Sequence, residues 1–345
     1  MSLKSEIFEQ PERLAHLLNN RRQIAEKFAQ TIHQHDIRYV FLAARGTSDN
    51  AGRYAVYLWG AQNGLPLALA TPSLFTLYEC PPKLTNALVV GISQSGKSPD
   101  IVGVLEEGHR QGCLTMAITN APNSPLAQAA DLVLDLEAGE EKAVAATKTY
   151  TAEVMALAML SAALADCKDC WRQLSKVPGW IEKALKQDAA IKRMTERYCY
   201  MNRCVVLGRG FNYATAFEWA LKLKELTYVE AEPYSSADFL HGPIAMIEGG
   251  FPVMAVAPQG KVFDSMLSLL GRLRGEGAAE LVVISDDKRA LSLAHSPIPL
   301  PDGIPEWLTP IVSIVQAQLF AYHLTQTKGF NTEMPRSIHK VTETR

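Results

Sequence analysis

The chain is poor in cysteine, with six in 345 residues, too few to staple a protein of this size. Cys167 and Cys170 form a lone C-x-x-C, and Cys199 and Cys204 follow at irregular spacing with no histidine joining them, so reduced thiols around helix ends are expected rather than a zinc site. Uninterrupted apolar runs of about 18 residues are missing, so no membrane span is expected. The opening residues Met1 to Glu6 lack the apolar block of a signal peptide, and a soluble cytoplasmic protein is the expectation. Charge of one sign is also missing: Lys+Arg 34 against Asp+Glu 36 leaves −2, no field for nucleic acid. No G-x-G-x-x-G follows a strand, which removes the common dinucleotide cradle. Low-complexity segments are absent. What is there is 48% apolar and 20% charged, a globular composition long enough for two domains of about 150 residues.

The apolar residues fall in short runs separated by helical stretches. Tyr39 to Ala44, Ala87 to Ile92, Leu114 to Thr119 and Asp131 to Leu136 read as buried strands of a parallel sheet covered on both faces. Cys204 to Gly208, Pro252 to Ala257 and Leu281 to Ser285 repeat the pattern. Arg45-Gly46 recurs as Arg209-Gly210 and Gly96-Lys97 as Gly260-Lys261, both 164 residues on, which indicates a tandem duplication. The fold class is therefore α/β. The expected division is a helical segment over 1–35, one domain over 36–165, a connector over 166–200, a second domain over 201–330 and a tail over 331–345. In the connector, Trp171, Leu174, Val177, Ile181 and Leu185 recur at helical spacing, as core residues do.

The two copies differ in their loops. The first carries Arg45-Gly46-Thr47-Ser48 and Ser93-Gln94-Ser95-Gly96-Lys97-Ser98, whereas the second carries Arg209-Gly210-Phe211-Asn212 and Ala257-Pro258-Gln259-Gly260-Lys261-Val262. Such loops lie at the carboxyl ends of parallel strands and feed helix N-termini, which favour anions. Thr47, Ser93, Ser95 and Ser98 add hydroxyl donors, and Gly96 lets the backbone close in. Ser48 and Ser98 could serve as helix caps alone. The full set, with Gln94, exceeds capping needs and suits a terminal phosphate on a small metabolite.

Acid–base candidates sit in the second copy. Glu218, Lys222 and Glu225 stand at i, i+4 and i+7 on one helix face, which by spacing alone reads as a solvated salt-bridge stripe. A polar segment follows and ends in His241-Gly242-Pro243, a loop-borne imidazole before a rigid turn. Glu225 and His241 together suit sugar chemistry: a carboxylate moves a proton between adjacent carbons, and an imidazole relays the proton that opens a ring. Val144 to Lys148 offers small residues for close backbone approach. The polar C-terminus is a frayed tail or a cover that supplies Lys340.

These motifs, in this order and over nearly the whole chain, resemble the sugar isomerase (SIS) domain family. The chain is similar to the isomerase part of glutamine-dependent glucosamine-6-phosphate synthases. Ala138 to Lys148 and Ser235 to His241 are more similar still to SIS-type glucosamine-6-phosphate deaminases. The resemblance implies two SIS domains, each a five-stranded parallel sheet between helices, in a homodimer. It implies phosphate binding by Thr47, Ser93, Gln94, Ser95 and Ser98, and sugar contacts from Val144 and Ala146, the latter where the synthases have serine. It implies that Glu225 is the C1/C2 proton-transfer base, aided by Lys222, and that His241 promotes ring opening from the partner subunit. Lys340 matches a tail lysine that contacts the open-chain sugar, although the surrounding tail differs. The synthases also carry a glutaminase domain, for which no room is expected here because the sugar-domain pattern starts by about residue 36, and a cysteine where this chain has Arg45.

The expected reaction is glucosamine 6-phosphate plus water to fructose 6-phosphate plus ammonia. No metal or redox cofactor is called for, because the amino group itself forms the imine. The rival readings are another amino-sugar-phosphate deaminase or deglycase, an aldose–ketose isomerase, and a non-catalytic phosphosugar sensor, which could dispense with Glu225 and His241.

Overall fold

A computed structural model describes residues 2–340. Its first sheet contains β1 (Tyr39–Ala43), β2 (Leu67–Leu69), β3 (Ala87–Ser93), β4 (Leu114–Thr119) and β5 (Leu132–Asp135), in the order β2-β1-β3-β4-β5. The second contains β6 (Arg203–Gly208), β7 (Glu230–Ser235), β8 (Pro252–Val256), β9 (Glu280–Ser285) and β10 (Ser296–Pro299), in the order β10-β9-β8-β6-β7. Read from the other edge, the second order is the first one again, and every strand pair in both sheets is parallel. The duplication is thus a duplication of topology.

The inner strands β3, β4, β8 and β9 are buried along their whole length, as continuous apolar runs require when helices cover both faces. Three edge strands, β2, β7 and β10, were not legible as strands. β2 has three residues, and β7 carries Glu230, Glu232 and Pro233, the charges and proline that blunt a sheet edge.

The described residues form two compact units. One comprises residues 9–142, 148–178 and 339–340 and holds the first sheet. Helices Gly46–Asn63 and Lys148–Leu164 belong to it, the latter buried at every residue. The other comprises residues 2–8, 143–147 and 179–338 and holds the second sheet, with helices Tyr213–Thr227 and Thr309–Thr327. Its core packs Val205, Leu207, Val253, Leu281 and Val283 of the sheet against Phe263, Leu270 and Leu273.

The connector residues form three short helices, Lys168–Leu174, Val177–Leu185 and Asp188–Thr195. Trp171, Leu174, Val177, Ile181 and Leu185 are all buried, as their spacing required. The cysteines depart from expectation: Cys167 and Cys170 are joined as a disulfide rather than left as thiols, because both sit at the start of helix Lys168–Leu174, with their Cα atoms 5.2 Å apart. Among the described residues no helix is long and apolar enough to cross a membrane.

Candidate functional site

In the sheet order β2-β1-β3-β4-β5 the chain direction switches between β1 and β3, and such switch points open a crevice at the strands' carboxyl ends. β1 pairs with β3 up to Ala43 and Gly91, so the two hydroxyl loops leave neighbouring strands side by side. Thr47 stands half-buried in the first turn of helix Gly46–Asn63. Ser93 ends β3, and its Oγ accepts from the Gly96 amide at 3.1 Å. Ser95 Oγ accepts from the Lys97 amide at 3.4 Å. The Ser93 and Ser95 hydroxyl oxygens are held by the loop while their protons stay available to another acceptor.

Gly96 has φ +60°, and a Cβ there would collide with the Ser124 side chain, so the tight loop requires glycine. Gln94 is half-buried, and its carbonyl accepts from the Asn120 amide at 3.3 Å. Ser98 occupies the N-cap of helix Pro99–Arg110 but makes no side-chain cap bond. Ser48 does not cap either; its Oγ donates to Glu153 at 2.8 Å in the interior. The capping explanation therefore fails for both serines. Sequence reasoning missed the clamp across these loops: Arg45 Nε donates to the fully buried Asp100 Oδ2 at 2.7 Å. Its one signal was the repeat of Arg-Gly after the first strand of each half.

The same loop in the second half is filled from within. Gln259 N donates to Asp286 Oδ1 at 2.7 Å and Lys261 N to Glu306 Oε2 at 2.9 Å. A Cβ on Gly260 would run into the Glu306 carboxylate. Amides that could bind an anion there already hold the chain's own carboxylates, whereas the matching Lys97 amide in the first half faces only a neutral hydroxyl.

Helix Tyr213–Thr227 carries the acid–base candidates. Lys222 is 1% exposed, and its Nζ lies 2.5 Å from Glu225 Oε2 and 3.4 Å from Glu218 Oε1. The stripe is therefore not solvated, because that helix face packs inward: Glu218 is fully buried, and Glu225 alone keeps partial access, at 24%. Burial pulls the Lys222 ammonium down, but the carboxylates of Glu218 and Glu225 more than offset it and hold the group above the ordinary lysine range. His241 lies just past helix Ser236–Leu240 and is exposed; among the described residues its ring makes no hydrogen bond, and it is not joined to Glu225. Exposed Leu240 and Met246 lie on either side of it in the chain.

Residues 143–147 are pinned at both ends within the second unit. Ala143 N donates to Glu6 Oε2 at 3.2 Å, and Gln318 Nε2 donates to the Thr147 carbonyl at 3.3 Å. Burial alternates along the stretch, so Val144 and Ala146 face outward while Ala143, Ala145 and Thr147 are buried. Lys340, in the first unit, donates to Glu141 Oε2 at 2.6 Å. Among the described residues no group of three His, Cys, Asp or Glu side chains is arranged to hold a metal ion.

The SIS domain model matches residues 35–163 and 200–328, once over each sheet. The chain belongs to the SIS domain family. A relative from Thermococcus kodakarensis, named glutamine–fructose-6-phosphate aminotransferase [isomerizing], is 34% identical over 97% of this chain and 56% of its own. The SIS chain thus spans little more than half the length of that curated relative. The C-terminal domain of glucosamine-fructose-6-phosphate aminotransferase from Francisella tularensis superposes with TM-score 0.87 at 29% identity, covering 96% of this chain and 98% of that one. Glucosamine-6-phosphate deaminase from Thermotoga maritima superposes with TM-score 0.80 over all of both chains. At 19% identity that likeness speaks for the shared SIS fold alone.

Proposed function

We propose that this SIS protein is an isomerising deaminase of a phosphorylated amino sugar, converting glucosamine 6-phosphate and water to fructose 6-phosphate and ammonia. The observation that carries the reading is the buried Glu218–Lys222–Glu225 group with one accessible carboxylate. When Glu225 takes a proton, Lys222 keeps Glu218 as its counter-charge, so the buried ammonium is not left alone. That arrangement lets an accessible carboxylate cycle between charged and neutral forms beside a buried ammonium.

Thr47, Ser93, Gln94, Ser95 and Ser98 hold the phosphate, and Val144 and Ala146 meet the sugar. His241 relays the proton that opens the ring. Glu225 removes the proton from C2 of the open-chain aldehyde, the C1 oxygen gains a proton as the amino nitrogen gives one up, and Glu225 returns its own to C1. The double bond then lies between C2 and nitrogen. Water adds to that ketimine and ammonia leaves, so the sugar and water are the only reactants.

The exposed imidazole flanked by exposed Leu240 and Met246 supports a homodimer in which His241 serves the partner's site. Glu225→Gln is expected to lower ammonia release by about 10³-fold, as loss of a general base does. An unchanged rate removes Glu225 from the mechanism. Saturable binding of glucosamine 6-phosphate without turnover by the parent protein replaces the enzyme reading with that of a sensor.

A further inference from the structure

The buried Glu141 was not singled out in the sequence, yet both oxygens of its carboxylate are engaged. Its side chain is 0% exposed. Oε1 accepts from the Thr149 amide at 3.2 Å, and Oε2 accepts from Thr149 Oγ1 at 2.7 Å and from Lys340 Nζ at 2.6 Å. The Thr149 bonds set the carboxylate at the first turn of helix Lys148–Leu164, where the helix field favours negative charge. The lysine side chain keeps 23% of its surface, so the ammonium has one buried partner and one open side. An exposed ion pair would hold the tail weakly. Here one partner cannot be rehydrated without leaving the core, and separating the two leaves a buried charge uncompensated.

We infer that Glu141 is a positioning residue: it is the socket that docks the C-terminal segment through Lys340 and fixes where that ammonium stands. The inference rests on the proposed deaminase activity for its kinetic consequence, because the residue it positions is the one expected to meet the open-chain sugar. Glu141 precedes Val144 by only three residues in the chain. Glutamine at this position keeps an oxygen for the Thr149 amide and removes the charge that holds Lys340, together with one acceptor of Thr149 Oγ1, and the melting temperature reports whether the fold is kept.

Three variants decide it: Glu141→Gln, Lys340→Met and the two combined. Each single change is expected to lower kcat for ammonia release about 30-fold with KM within about twofold, and the double variant to match the singles, as coupled neighbours do. A purely structural role predicts instead a lowered melting temperature with kcat intact. Amide hydrogen exchange at Ser337 to Lys340 is expected to run about 10-fold faster in Glu141→Gln than in the parent. Additive losses in the double variant, unchanged kcat in Glu141→Gln or unchanged exchange overturns the inference. If the parent releases no ammonia from glucosamine 6-phosphate, the proposed function falls, and the exchange measurement alone decides whether Glu141 docks the tail.

Discussion

Lys222 shows how one buried charge organises a neighbourhood. Its two carboxylate partners lie on its own helix, one turn before and one turn after, so the helix delivers the group ready-made. Lys222→Met removes the ammonium that pairs with both Glu218 and Glu225. Urea titration is expected to show a loss of about 3 kcal/mol at pH 7, the usual result of breaking a buried pair. The pH dependence follows from the raised value of the ammonium in the fold. The contribution is complete below the ordinary lysine range, where folded and unfolded forms are both charged. It fades as pH rises from that range through the higher folded value. The parent should therefore lose stability more steeply than Lys222→Met above about pH 10.5, measured by urea midpoints across that window.

At the scale of elements, the working pieces are turns between a strand and a helix. Gly96 shows what such a turn demands: a left-handed backbone and no Cβ against Ser124. Gly96→Ala is expected to cost about 2 kcal/mol from the strained φ and the collision. It should also weaken inorganic phosphate binding at least tenfold, measured by calorimetry. The second-half counterpart takes the same fold for a different purpose. There Glu306 and Asp286 occupy the loop amides, which makes the turn a structural joint. β7 carries a related lesson. A segment that reads as polar loop becomes an edge strand because β6 offers it a complete parallel ladder. Neither Pro233 nor the glutamates prevent that at an edge.

Across the whole molecule, duplication supplied two topologically identical sheets, and substitution in their loops made them unequal. One half kept hydroxyls around an open turn; the other filled the turn with carboxylates and placed a buried lysine between two glutamates. Phosphate should therefore bind once per chain. Equilibrium dialysis with labelled inorganic phosphate is expected to give a stoichiometry near one, and two equal sites would contradict the asymmetry. Saturating phosphate at about 100 times its dissociation constant should stabilise the fold by about 2.7 kcal/mol, visible as a rise in melting temperature.

Strand runs, the repeat and the family motifs could be read along the chain, because buried parallel strands need continuous apolar residues and phosphate loops need hydroxyls and glycine at fixed spacing. Seven of the strands, Thr47, the 93–98 loop and the Glu218–Lys222–Glu225 face were visible in that way. Burial was not. Spacing could not tell a solvated stripe from an interior ion group, because helical periodicity gives a face and not what covers it. Nor could it show that Arg45 clamps Asp100, that Glu306 blocks the second loop or that Glu141 receives Lys340. Those pairs lie 55, 45 and 199 residues apart, and only folding brings such charges within reach and removes the water that would otherwise screen them.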